Sequence, residues 1–589
     1  MTKSLPLILV AFLAIGSCQP TKRTVSQGKG VYQFLNDDTT RRNLSPFFSD
    51  RAGVVADHGM VSSAHPVASR VGVDILEAGG TAIDAAIAVK FALAVVHPSA
   101  GNLGGGGFVV YREQSGRAYT LDFREKAPAK AFRDMYLDST GNVIAGLSFT
   151  GHLASGVPGT VAGMVETHRR FGKLAWETLL APAIQLADRG VRLTAKEAQA
   201  LNRVKADLER LNPGKNYLIK PTDWLEGDTL VQKDLAKTLG RIRDGKRAGF
   251  YAGETARLLT EEMQRGGGLI TQPDLDGYQA VWREPITATY KDYKIISMPP
   301  PTSGGVALIQ LLKMVENYPL ARWGWNADST VMVMIEAERR VYADRAKFLG
   351  DPDFVKIPVT ELVSKTYLRN RMADFSFAKA SESKNISGGR IPGYESSETT
   401  HFSVVDRDGN AVAITTTLNG GYGSRVFVGG AGFLLNNEMD DFSAKPGVPN
   451  AYGLVGAEAN AIQPGKRMLS AMTPTIVEKE GKLYLVVGTP GGSTIITSVF
   501  QTILNVLEHG MTMQQAVSAL KFHHQWLPDK TIYEQNAFSP ATVRFLQERG
   551  QVLEELKGTI GRMDAILKRA DGKLEGGADP RADDTAVGY

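Results

Sequence analysis

The chain has 589 residues, 43% apolar, 22% charged and 8% aromatic, the make-up of an ordinary globular protein rather than a fibrous or disordered one. A formal net charge of +5 is weak for this length, and no run of Lys and Arg interleaved with aromatics occurs, so no nucleic-acid partner is expected. A single Cys forbids an intramolecular disulfide, and the nine His lack HExxH spacing, so no metal is expected and the close pair His523-His524 reads as structural.

Lys3 precedes an apolar stretch from Leu5 to Ile15, too short to span a bilayer as a helix but suited to the core of a secretory signal. Ile15-Gly16-Ser17-Cys18 ends it and resembles the bacterial lipobox, in which the Cys is lipidated and becomes the new N-terminus. The expectation is a lipoprotein signal peptide over 1–17, lipidation at Cys18, and a periplasmic or otherwise extracytoplasmic protein anchored by lipid to a membrane. Gln19 in place of Asp points to the outer membrane in an organism that has one. Residues 18–45 are polar and read as a flexible tether.

From Ala68 to Val96, apolar residues at helical spacing with a break at Gly79-Gly80 predict two consecutive helices. Gly104 to Gly107 lead into a strand at Phe108–Tyr111, and Tyr119–Arg124 reads as another. Trp176 to about Gln272 is mostly helical by pattern. Thr302-Ser303-Gly304-Gly305 precedes a helix from Val306 whose free N–H groups suit a carbonyl or an anion. A Ser- and Gly-rich loop from Lys379 to Glu395 marks a boundary, after which His401–Val405 and Ala411–Thr417, joined by Asp406 to Asn410, predict a hairpin. The part from Thr399 onward is net acidic and the rest net basic, which favours their staying together if the chain is cut between them.

Phosphate-loop, dinucleotide and nucleophile-elbow motifs are absent from the sequence; Gly491-Gly492-Ser493-Thr494-Ile495 misses the last by one residue. A nucleophilic enzyme without a free thiol needs a Ser or Thr hydroxyl with a base beside it. An N-terminal Thr carries its own, since an α-amine has a reference pKa of about 7.7–8.0 and is partly neutral near pH 7. Such a Thr must be freed by peptide cleavage. Glu395 to Asp406, with Thr399-Thr400-His401 between a loop and a strand, resembles the processing site of γ-glutamyltransferases (γ-glutamyl transpeptidases), members of the N-terminal nucleophile hydrolases. The likeness continues through Leu435 to Phe442, Gly101 to Gly107, Asp122-Phe123-Arg124-Glu125, Gly156-Val157-Pro158-Gly159, Pro300 to Gly305, Thr489 to Ser493 and Phe522 to Trp526.

The resemblance implies an α+β fold, the four-layer αββα sandwich, built jointly by the segments 46–398 and 399–589 after autocleavage between Glu398 and Thr399. It implies a γ-glutamyl-enzyme ester on Thr399, formed from glutathione or another γ-glutamyl donor and resolved by water, an amino acid or a dipeptide, without a cofactor. Thr417, on the partner strand, is expected to hydrogen-bond the nucleophile. Gly491 and Gly492, between a strand at Leu483–Val487 and a helix at Thr494–Leu507, suit an oxyanion hole. A γ-glutamyl group also presents a carboxylate and an ammonium: Arg124 suits the first by its fork, with Ser470 adding a hydroxyl, and Asn419, Glu438 and above all Asp441 suit the second. Lys445 to Gly453 resembles a lid loop, with Tyr452 as a gate. The alternatives are a cephalosporin-acylase-like amidase, whose donor lacks the ammonium, and a non-catalytic peptide-binding lipoprotein.

Overall fold

The computed structural model describes residues 53–214, 216–386, 399–445, 447–448 and 456–589. The signal peptide, the whole tether, Cys18, Glu398 and Tyr452 lie outside them. Two seven-stranded antiparallel sheets form the centre. In chain order their strands are β1 (Val54–Ala56), β2 (Met60–Ser63), β3 (Gly106–Arg112), β4 (Ala118–Asp122), β5 (Val281–Arg283), β6 (Ile286–Tyr290), β7 (Tyr293–Ser297), β8 (Thr399–Val405), β9 (Ala411–Thr417), β10 (Thr475–Lys479), β11 (Lys482–Gly488), β12 (Asp564–Lys568), β13 (Leu574–Ala578) and β14 (Thr585–Gly588). One sheet runs β1-β13-β12-β11-β10-β7-β6 and the other β14-β2-β8-β9-β3-β4-β5.

The predicted hairpin forms as β8 and β9, with Thr399 paired to Thr417 and Val405 to Ala411. Its tip is held by Asp406, whose carboxylate accepts from the N–H groups of Asp408 and Asn410, both at 3.0 Å. The same side chain accepts from Ala82 N–H at 2.9 Å, which fastens the hairpin tip to a helix start. That helix, α2 (Ala82–Val96), follows α1 (Pro66–Glu77) after the break expected at Gly79-Gly80. Thr81 and Asp84 form a capping box at the start of α2, and every residue from Ala82 to Val96 is buried, as a helix apolar on all sides requires.

Helices cover the outer face of each sheet, completing four layers. α1 lies over β2, and α2 over β8 and β9. On the far side α3 (Gly304–Val315) covers β6 and β7, and α5 (Thr494–Leu507) covers β11, with α4 (Asp328–Phe348) packed on α3. Strand alternation sorts the side chains: Phe402, Val404, Val412 and Ile414 enter the core beneath α2, while Val405, Ala411 and Ala413 join the core shared with the other sheet. Thr399, His401 and Ser403 therefore face into the space between the sheets. The helices and strands that were read from the sequence shift at their ends only, the strand expected to run to Arg124 stopping at Asp122, while β1, β2, β5 to β7, β10 and β12 to β14 were not read.

Candidate active site

Thr399 opens β8 and Thr417 closes β9 directly opposite, both buried. Gly105 brings the neighbouring chain against this corner: a Cβ there would lie 2.1 Å from the Thr417 carbonyl, a distance only glycine avoids. Below the pair, His401 Nδ1 and Thr415 Oγ1 are 2.8 Å apart, His401 Nε2 and Ser403 Oγ 3.1 Å, and Ser403 Oγ donates to the Asp564 carbonyl at 3.1 Å. Burial pulls the His401 imidazole down to about 3, so it is neutral and too weakly basic to hold a hydroxyl proton at neutral pH. The Thr417 hydroxyl accepts from Asn419 N–H at 2.6 Å.

Thr399 sits on the wall of a cleft, and the other walls gather residues from distant parts of the chain. Arg124, Thr417, Asn419, Glu438, Asp441, Ser470 and Gly492 all line it, so most of the residues singled out by sequence converge on one space. Gly491 stands just behind. Its φ of 141° and the 56° of Gly492 place both outside the ordinary range of L side chains, and the Gly491 carbonyl accepts from Thr494 N–H at 3.0 Å and Thr494 Oγ1 at 2.7 Å. This turn ends β11 and starts α5. It leaves Gly492 on the wall of the same cleft as Thr399.

At the far wall Arg124 is fully buried among carboxylates. Its guanidinium is 2.6 Å from Glu438, in contact with Asp441 and 3.6 Å from Glu125. Burial raises all three: Glu125 is pushed up to about 7, Glu438 well above the usual carboxylate range, and Asp441 above its ordinary value, with the Arg124 charge opposing each shift. Arg124 and its acids thus pair with one another across the cleft wall. A ligand's carboxylate suits the guanidinium and its ammonium suits the acids.

Asn419 is held at φ 74°, its side-chain N–H₂ donating to the Asn437 carbonyl at 3.0 Å, which leaves its amide oxygen available. Ser470 is fixed through its backbone. Its carbonyl accepts from Ser303 N–H at 2.8 Å and Ser303 Oγ at 2.7 Å, so the helix-start motif Thr302 to Gly305 does hold a carbonyl, one belonging to the protein itself. The pair His523-His524 lies on a short strand, Phe522–His524, buried and hydrogen-bonded within the protein. Arg345, Met472 and Ile495 also line the cleft and were not singled out by sequence. Arg345 comes from α4, whose run of charges from Glu336 to Arg345 is buried; charge density on a helix that also carries Val331 to Ile335 was the available signal.

A threonine heading a central strand between two covered sheets, with a glycine turn at its side, defines an N-terminal nucleophile hydrolase. The sequence model of the gamma-glutamyltranspeptidase family matches residues 68–589, and the chain belongs to that family. It is 48% identical over 539 residues to the glutathione hydrolase proenzyme of Escherichia coli (strain K12), covering 91% of this chain and 93% of that protein. Among solved structures it is similar to the cephalosporin acylase of Bacillus halodurans, with a TM-score of 0.80, 25% identity and coverage of 93% and 98% of the two chains. It is also similar to the Helicobacter pylori gamma-glutamyltranspeptidase, with a TM-score of 0.55 and 44% identity over 58% of this chain and 97% of that one.

Proposed function

We propose that the protein hydrolyses glutathione and other γ-glutamyl compounds and transfers their γ-glutamyl group to amines, after cutting itself between Glu398 and Thr399. The observation that carries this reading is the cleft in which Thr399 and Gly492 share walls with Arg124, Glu438 and Asp441. In maturation the Thr399 hydroxyl attacks the Glu398 carbonyl, the C–N bond breaks to release the Thr399 α-amine as an ester forms on its oxygen, and water hydrolyses that ester to free the Thr399 hydroxyl and a Glu398 carboxylate. That amine then takes the hydroxyl proton as Thr399 attacks the donor's γ-carbonyl. The carbonyl oxygen gains charge towards the Gly491-Gly492 turn, the leaving amine departs protonated, and a γ-glutamyl ester remains. Water completes hydrolysis; an amino acid or dipeptide amine completes transfer.

Arg124 takes the donor carboxylate, assisted by the Ser470 hydroxyl. Asp441 and Glu438, with the Asn419 oxygen, take the ammonium. An acylase reading has support from the likeness to a cephalosporin acylase, but two acids and an amide oxygen are a poor match for a donor without an ammonium. Comparing γ-glutamyl, glutaryl and α-glutamyl anilides tests the point: the γ-glutamyl anilide should be strongly preferred, and equal turnover of the glutaryl compound would move the protein to the acylases.

Ala471 stands on the cleft wall beside Ser470, where a second hydroxyl would face the same carboxylate. Thr473 does not stand in for it, because its hydroxyl donates to the Ala471 carbonyl at 2.8 Å. A hydrogen bond to a charged group contributes roughly 1.5–3 kcal/mol, about ten- to a hundredfold in binding. Ala471→Ser is therefore expected to lower KM for a γ-glutamyl donor with kcat nearly unchanged, since the carboxylate is held alike before and during reaction. Steady-state kinetics with an anilide donor check this; an unchanged or higher KM would place residue 471 off the carboxylate.

The address lies in residues outside the described structure, in which no helix is long and apolar enough to cross a membrane. The proposal is a lipid-anchored extracytoplasmic protein modified at Cys18. Cys18→Ser should release the protein from the membrane fraction or leave its precursor unprocessed. Radiolabelled fatty acid should mark the wild type and not the variant; an unlabelled, soluble wild type would refute the anchor.

A further inference from the structure

Tyr342 and Arg345 lie one turn apart on α4, a helix buried from Thr330 to Ala346, and each reaches a different pole of the cleft. The Tyr342 hydroxyl donates to the carbonyl of Ser493, the residue that follows Gly492. Its ring meets His523 edge-on at 5.4 Å between centroids. His523 Nε2 is 3.2 Å from Ser493 Oγ, and that hydroxyl donates to Gln525 Oε1 at 2.7 Å. The glycine turn is thus gripped from behind. Arg345 Nε donates to Ser303 Oγ at 2.9 Å, and Ser303 Oγ donates to the Ser470 carbonyl at 2.7 Å. Arg345 also lines the cleft itself, where its charge acts on Asp441.

We propose that α4 sets both poles of the site, with Tyr342 as a positioning residue for the oxyanion turn and Arg345 as a specificity-determining residue for the donor's carboxylate. The inference rests on the γ-glutamyl reading above. It assigns the two residues different kinetic signatures. The N–H groups of the turn gain strength only as charge develops on the reacting oxygen, so a loosened turn costs kcat. The charge and brace from Arg345 act on a carboxylate present before and during reaction, so their loss costs KM.

The test uses processed protein, with active sites counted by covalent labelling with a diazoketone glutamate mimic, and two donors: γ-glutamyl anilide and 4-aminobutanoyl anilide, which keeps the ammonium but lacks the carboxylate. Tyr342→Phe removes one oxygen and should lower kcat per labelled site about tenfold on both donors, with KM within about twofold, a fraction of the roughly 10²–10³ lost with a whole oxyanion donor. Arg345→Lys keeps the charge but loses the fixed fork, and should raise KM for the γ-glutamyl donor about three- to tenfold with kcat within about twofold, leaving the 4-aminobutanoyl donor unaffected. Should Arg345→Lys fail to fold or process, Ser303→Ala interrupts the same brace and should raise the same KM. Variants that shift kcat and KM alike, or an Arg345→Lys defect equal on both donors, would overturn the inference. Wild type inactive on the γ-glutamyl anilide would instead overturn the function beneath it.

Discussion

Thr399→Ala is expected to stay a single uncut chain with no measurable turnover of a γ-glutamyl anilide. The hydroxyl that would cut the chain is the hydroxyl that would attack the donor, so one atom pair carries both events. Nothing nearby can replace it: Thr417 lies opposite with its oxygen accepting from Asn419 N–H, and His401 is held neutral and weakly basic by burial. The fold should survive, because the substitution removes two small side-chain atoms at a strand end. Loss of a nucleophile leaves only what binding and the oxyanion hole supply, so a fall of at least about 10⁴ is expected. Intact mass and a denaturing gel distinguish the outcomes: wild type should divide into Cys18–Glu398 and Thr399–Tyr589, and full activity from uncut protein would sink the mechanism.

Arg124→Gln should be the most damaging change at the opposite wall. The guanidinium faces Glu438 and Glu125, both out of water, and the partly exposed Asp441, and removing one partner of a buried charge cluster costs roughly 3–5 kcal/mol. Without Arg124 the main charge opposing burial is lost and the pKa values of these carboxyls move further up, towards the neutral form. The donor then loses its carboxylate partner directly, and its ammonium partners carry less negative charge. A fall in kcat/KM of about 10²–10⁴ on the γ-glutamyl donor follows. It should be smaller on a donor lacking the carboxylate, and a drop equal on both donors would show that Arg124 serves the fold and not the substrate.

Local order was largely readable. The glycine break before α2, the turn chemistry of Asp406 to Asn410 and the glycine turn before α5 each lie within a few residues, and short-range rules govern them. Part of the cleft was readable only because several strings occur together in one order; Arg124 or Asp441 taken singly carries no signal. Tyr342 and Glu125 were beyond reach for a different reason, and for Arg345 the charge density of its helix gave a signal but not a role. Their roles depend on which way a buried side chain extends after helices and sheets have packed, and no periodicity encodes that. Ala471 sits between: its place next to Ser470 is plain in the chain, but that the Thr473 hydroxyl is spent on the Ala471 carbonyl is visible only in the folded contact.

The order of strands in the two sheets gives the proposed cut a direction in time. β8 and β9 sit between β2 and β3, and β14 pairs with β2, so strands from after the cut alternate with strands from before it. β1 likewise lies against β13. Separating the pieces would mean tearing both sheets, which makes dissociation and unfolding one event. Before the cut, a denatured chain refolds as a single molecule whose halves remain at high effective concentration. Afterwards the same return needs two strangers to collide, so recovery should slow on dilution and compete with aggregation of exposed strand edges. The matured protein would be a form reached through its precursor and poorly regained without it, while Thr399→Ala, still tethered, should refold at a rate independent of concentration.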